Sequence, residues 1–124
     1  MPVNPYEKYK QQSIMTMTQG EMLVKLFEET AKQLTAAELA IGERDWNKTN
    51  EALQRAQRIL NHLKSTLNDK VELSENLGAL YDYFLRQIVS ANVKKDGSYL
   101  SEIIPMVAEL GETFAQAEKK LRMQ

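Results

Sequence analysis

From Gly20 to Leu121 the apolar residues recur every three or four positions, the period of an amphipathic helix. Three places interrupt this period: Gly42-Glu43-Arg44-Asp45, the stretch from Asn68 to Ser74, and Asp96-Gly97-Ser98. Each joins a helix stop to a polar residue able to cap the next helix. No run alternates apolar and polar residues as a half-buried strand does, and Asp96-Gly97 lies between helical patterns. The expectation is an all-α chain with four segments at about 19–41, 46–68, 75–96 and 99–122. Short connections force such helices into an antiparallel four-helix bundle, each about 33 Å long at 1.5 Å per residue. At 124 residues the chain is expected to be one domain, 1–124, with an N-terminal arm or short helix (1–17) docked on the bundle (18–124).

The segments differ in how much apolar surface they offer. In the first, Thr18 and Glu21 fit a capping box, and Met22, Leu23, Leu26, Phe27, Thr30, Leu34, Ala37 and Ile41 form the buried face. The second runs Thr49, Leu53, Ala56, Leu60, Leu63, Leu67, a 4-3-4-3-4 spacing that marks a bundle seam, widened by Ala52 and Ile59. The fourth uses Leu100, Ile103, Ile104, Val107, Leu110, Phe114, Ala117 and Leu121, and Lys119, Lys120 and Arg122 meet the negative end of its dipole. Pro105 deletes one backbone bond near its start and should kink it there. In the third, with Phe84 at zero, Leu77, Leu80, Tyr81, Ile88 and Ala91 fall within about 60°, while Leu85, Asn92, Gly78 and Val89 extend the arc to about 140°. That apolar arc of about 180° exceeds the stripe of about 100° that one core contact needs. The third helix is either central or partly uncovered for a partner.

Composition narrows the chemistry. Sixteen Lys and Arg balance seventeen Asp and Glu, so the chain lacks the basic excess of a nucleic-acid binder. Without cysteine it forms no disulfide, thiolate or Zn-Cys site, and one histidine, His62, excludes multi-histidine metal sites. There is no phosphate-binding glycine loop and no nucleophile elbow, and no cofactor is expected. The paired glutamates lie on polar faces among lysines and arginines, which suits solvated charge better than catalysis. No long apolar run or signal sequence is visible, so a cytoplasmic location is expected. Gly78 and Gly111 interrupt helices, where a close helix approach is the usual reason. Trp46 reads as a packing anchor at the head of the second helix.

Two further features bear on function. The arm carries Tyr6 and Tyr9 three residues apart, then Ile14, which a solvated tail has no use for. It reads as a staple on the core or as a movable lid over a groove. His62 sits near the middle of the second helix, as the acceptor of a histidine phosphotransfer domain would. Its context, His62-Leu63-Lys64-Ser65, departs from the His-x-x-Lys-Gly of such modules. A phosphotransfer module using His62 and a generic bundle adaptor stay open as alternatives. From the residues alone, the expectation is a non-enzymatic bundle whose surplus apolar surface takes an amphipathic helix.

In order along the chain, several motifs resemble the flagellin-specific export chaperone family, FliS. They are Asn4-Pro5-Tyr6 with Tyr9, Thr16-Met17-Thr18-Gln19-Gly20-Glu21-Met22-Leu23, Ala56-Gln57-Arg58-Ile59-Leu60, and Leu63 to Asn68. The most specific stretch is Asn76-Leu77 with Leu80-Tyr81-Asp82-Tyr83-Phe84, continuing to Ala91-Asn92 and Asp96. Phe27-Glu28-Glu29 stands where the family usually has Tyr-Asp-Gly, and Phe114 near where it often has Trp. The resemblance implies a cytoplasmic chaperone that binds the disordered C-terminal segment of flagellin, prevents premature polymerisation and helps deliver it to the flagellar type III export gate. It also implies an arm that covers a client cleft until displaced. On this sequence, Tyr6, Tyr9 and Ile14 would form the lid. Leu77, Tyr81, Leu85, Val89 and Asn92 would line one side of a cleft, with Ile59 and Leu63 opposite. A weak homodimer through the third helix would cover the same surface.

Overall fold

The computed structural model describes residues 17–68 and 72–123, so the arm residues Tyr6, Tyr9 and Ile14 lie outside the described residues. Four helices follow one another: α1 (Gln19–Gly42), α2 (Trp46–Ser65), α3 (Glu72–Lys94) and α4 (Ser98–Arg122). No strand occurs among the described residues. α1 packs closely along α2 and α4, whereas α3 packs more loosely against α2 and α4. The helices thus stand in chain order around a square, each antiparallel to its neighbours. Rising numbers on α2 meet falling numbers on α3, as in the Lys64–Asp82 and Asn50–Asn92 contacts.

The helix ends show why the chain breaks where it does. The Thr18 hydroxyl accepts the Glu21 N–H at 3.1 Å and caps α1. The expected capping box is only half made. The Glu21 carboxylate pairs instead with Arg122, and the Thr18 hydroxyl donates to Glu118 at 2.9 Å, so the start of α1 is tied to the end of α4. Gly42 was expected to stop α1, but the left-handed residue is Arg44, with φ 57°. The Asp45 N–H reaches the Ala40 carbonyl and the Arg44 N–H the Ile41 carbonyl, the Schellman pattern. The third break repeats this at Lys95 (φ 54°), where the Asp96 N–H bonds the Ala91 carbonyl and Gly97 only precedes α4. α2 ends at Ser65 rather than at residue 68. The Ser65 and Thr66 hydroxyls donate to the His62 and Leu63 carbonyls and offer the backbone a competing partner. α4 runs as one helix through Pro105.

The core follows the expected faces closely, except that Met22, expected on the buried face of α1, is exposed. Phe27, Leu34, Ala37, Leu53, Ala56, Leu60, Phe84, Ile88, Ala91, Leu100, Ile103 and Val107 are all buried. Phe27 is its hub: its ring stacks on Phe114 at 5.4 Å between centroids and meets Tyr81 at 6.2 Å across the bundle. Gly111 makes this possible, because a Cβ there would lie 3.2 Å from that of Phe27. The buried hydroxyls of Thr30 and Thr49 donate to the Leu26 and Asp45 carbonyls at 2.8 Å each. The expected face of α4 runs out before its end, for Ala117 and Leu121 are exposed. Their turns overhang the first residues of α1, where little core remains to cover. Trp46, expected to anchor packing, is half-exposed instead, with the Lys95 ammonium over its ring.

Candidate docking surface

α3 sends Tyr81, Phe84, Ile88 and Ala91 into the core and carries polar contacts along its two edges. Toward α4, the Tyr83 hydroxyl donates to Glu102 at 2.5 Å and the Gln87 amide to the same carboxylate at 3.2 Å. That hydrogen bond, with the nearby Glu102 charge, raises the Tyr83 phenol above its ordinary value. Toward α2, Lys64 pairs with Asp82 at 2.6 Å, and the Asn92 amide donates to Asn50 at 3.4 Å. Between these edges the wide apolar arc emerges from the core. Leu77 and Leu85 are half-buried, Val89 is 49% exposed and Val93 75% exposed. Leu85, Val89 and Val93 stand four residues apart, so they form one continuous ridge.

The structure divides the expected cleft residues. Leu85, Asn92 and Val89 follow one another around one flank of α3, from half-buried to exposed, while half-buried Leu77 packs against the core near the line of Phe84. Tyr81 and Leu63 do not: at 1% and 2% exposed they are core residues, and Tyr81 faces Phe27. Burial pushes the Tyr81 phenol up to about 12. Ile59 lies on the other side of α2. At about 100° per residue it falls between Ala52 and Arg55, which border a groove of about 350 Å³ against α1 with Leu39 and Lys48. The side of α2 that meets α3 is polar and carries Asn50 and Lys64. Of the residues assigned to the cleft, Tyr81 and Leu63 are therefore in the core and Ile59 is on the far side of α2.

Four features lie outside what the sequence pattern marks. Val93 lies beyond the arc drawn from sequence and extends it by one turn past Val89. A groove of about 440 Å³ opens between the start of α1 and the end of α4, lined by Met17, Val24 and Ala115 and rimmed by Glu21, Glu118 and Arg122. A smaller one, about 210 Å³, lies between α3 and α4 over Leu80, Met106 and Leu110. The α1–α4 groove begins at Met17, where the arm joins the described bundle. Leu39, 65% exposed, adds an isolated apolar side chain on α1.

Nothing else in the described residues assembles a reactive site. His62 is exposed on the outer face of α2. No group of three His, Asp or Glu side chains could hold a metal among the described residues. None of their helices is long and apolar enough to cross a membrane. What the arrangement offers chemically is apolar relief flanked by neutral amides and a few charges, which suits the uncharged face of a helix.

Comparison with known proteins points the same way. The family model described as "Flagellar protein FliS" matches residues 2–121. The chain is 40% identical over 114 residues to the flagellar secretion chaperone FliS of Bacillus subtilis, covering 92% of this chain and 86% of that one. It is 28% identical over 115 residues to the protein of that name from Salmonella typhimurium (90% and 85% covered). It is 26% identical over 108 residues to that of Escherichia coli (85% and 79% covered).

Proposed function

The chain belongs to the FliS family of flagellar secretion chaperones, and from that premise we propose that it binds the disordered C-terminal segment of flagellin. Binding would take place in the cytosol, before export. The observation that carries this reading is the uncovered ridge of α3, an apolar surface on a bundle whose core is otherwise closed. A client segment that is unfolded alone lays an amphipathic face along Leu77, Leu85, Val89 and Asn92 and gains helix as it binds. The apolar area it buries offsets the entropy of ordering it, so no nucleotide is needed. Once covered, the segment cannot nucleate a filament, and the complex is the form handed to the flagellar type III export apparatus. Tyr6, Tyr9 and Ile14 of the arm act as a displaceable lid over the client surface.

Titration of the protein with its own organism's flagellin C-terminal segment tests this, with heat and far-ultraviolet ellipticity followed together. The expected result is a 1:1 complex with helix gained by the peptide. Absence of binding to both the segment and whole monomeric flagellin would refute the reading. Leu85→Asp and Val89→Asp variants should lose the client while the bundle keeps its helix content. Removing residues 1–14 should raise the client on-rate, and an unchanged or lower rate would remove the lid.

A further inference from the structure

We infer that Trp46, Lys95 and Asn50 form a receptor for the C-terminal end of the client helix, so that the flagellin segment lies parallel to α3; this rests on the flagellin reading above. The apolar line of α3 does not stop at its own helix. Asn92, three residues after Val89, donates to Asn50 of α2 at 3.4 Å and accepts from Lys95 at 2.9 Å. Asn50 stands one turn after Trp46, and the Lys95 ammonium lies 5.6 Å from the centre of the Trp46 ring. The line Leu85, Val89, Val93 is thus continued across the end of α3 by an indole at the head of α2.

Tryptophan is among the residue types most often found as binding anchors, and Trp46 is 42% exposed. Its ring face is covered by a flexible lysine, a contact worth little at an exposed site. An apolar client side chain can therefore take the place of Lys95 on the ring.

The charges set the direction. Lys95 is engaged by a neutral amide and a ring, so no carboxylate among the described residues neutralises it. At the other end of the line stands Glu75, which lies about five whole turns before Val93 and so on the same side of α3. Glu75 is exposed, and no cation among the described residues pairs with it. Asp82, between them, is already neutralised by Lys64. A helix docked here meets an anion at one end and a cation at the other, about 30 Å apart. Its own dipole places about half a positive charge at its N-terminus and half a negative charge at its C-terminus. The C-terminal end therefore belongs beside Lys95, where its last carbonyls need donors. Lys95 leaves the ring and donates to them. Asn50 does the same, since its bond with Asn92 is long for an amide pair and is given up at small cost. The client so selected closes its helix with an apolar side chain in the last turn.

Trp46 is the only tryptophan of the chain, so its fluorescence reports on this end directly. The probe is the shortest C-terminal piece of flagellin that binds the full chain in calorimetry, carrying a nitroxide at its C-terminal end or, separately, at its N-terminal end. Trp46→Phe supplies the blank for any tryptophan in the client. The C-terminal label should quench Trp46 strongly and the N-terminal label little. Trp46→Ala should lower the affinity about tenfold and Lys95→Glu about two- to fivefold, each with unchanged ellipticity. Stronger quenching by the N-terminal label, binding without quenching by either label, or an affinity that both substitutions leave untouched would each overturn the receptor and leave the flagellin reading standing. Absence of calorimetric binding by any flagellin piece would remove both.

Discussion

Arg44 occupies a left-handed conformation that costs a residue with a Cβ about 1 kcal/mol and a glycine almost nothing. It is exposed, and among the described residues no bond or ion pair of its side chain offsets that cost. Arg44→Gly should therefore raise stability by about 1 kcal/mol, measurable as a shift in the urea midpoint at constant slope. Gly111 is the opposite case. An alanine there gains helix propensity but presses its Cβ to 3.2 Å from that of fully buried Phe27. With the Phe27 ring pinned between Phe114 and Tyr81, the squeeze outweighs the gain, and Gly111→Ala should destabilise by about 1 kcal/mol. Tyr81 links the core to pH. Its phenol is raised from 10.0 to about 12 by burial, so the folded state holds that proton more tightly than the unfolded one. The contribution is complete below pH 10 and is lost as pH climbs through about 12. Tyr81→Phe should flatten that part of the stability profile, and denaturant midpoints of the two proteins at pH 9 to 12 measure the difference.

At the scale of elements, α3 stands apart. α1 is clasped along both sides, while α3 meets its neighbours more loosely, and beyond its core face the pairs at its edges are exposed and individually worth little. Local opening should start there. Amide exchange in α3 should outpace that in the middle of α1 and α2, and equal protection in all three would contradict this. The sequence made the four helices and most of their inward faces legible, because a seam such as Thr49-Leu53-Ala56-Leu60-Leu63 admits one period. It also showed that α3 carries more apolar arc than a core contact needs. Two things were not legible. Periodicity assigns a residue to a face but not to a neighbour, so Ile59 was set against α3 although it lies on the side of α2 that carries Ala52 and Arg55, which border the groove against α1. Glycine identity marks a turn but not its left-handed residue, so the stops placed at Gly42 and Gly97 belong to Arg44 and Lys95. Tyr81 shows the same limit: the family resemblance assigned it to a cleft, but its ring is buried against Phe27.

For the molecule as a whole, the charge balance decides how a client is held. A net charge of -1, with sixteen cations against seventeen anions, produces no strong field to steer or retain a charged chain. The described ion pairs are all surface pairs, Lys25–Glu28, Lys48–Asp45, Lys64–Asp82 and Arg122–Glu21, already matched within the bundle. Beside these charges the described surface carries apolar relief: the Leu85–Val89–Val93 ridge and the groove beside Met17 and Val24. If the flagellin segment is held by that surface, its binding should carry the signature of apolar burial coupled to folding. Calorimetry at several temperatures should give a clearly negative heat-capacity change. The affinity should change less than about threefold between 50 and 500 mM salt, since screening acts on charges and not on the ridge. A steep loss of affinity with salt would mean that exposed charges hold the client, and the site would then have to be sought among the lysines and glutamates instead of along α3.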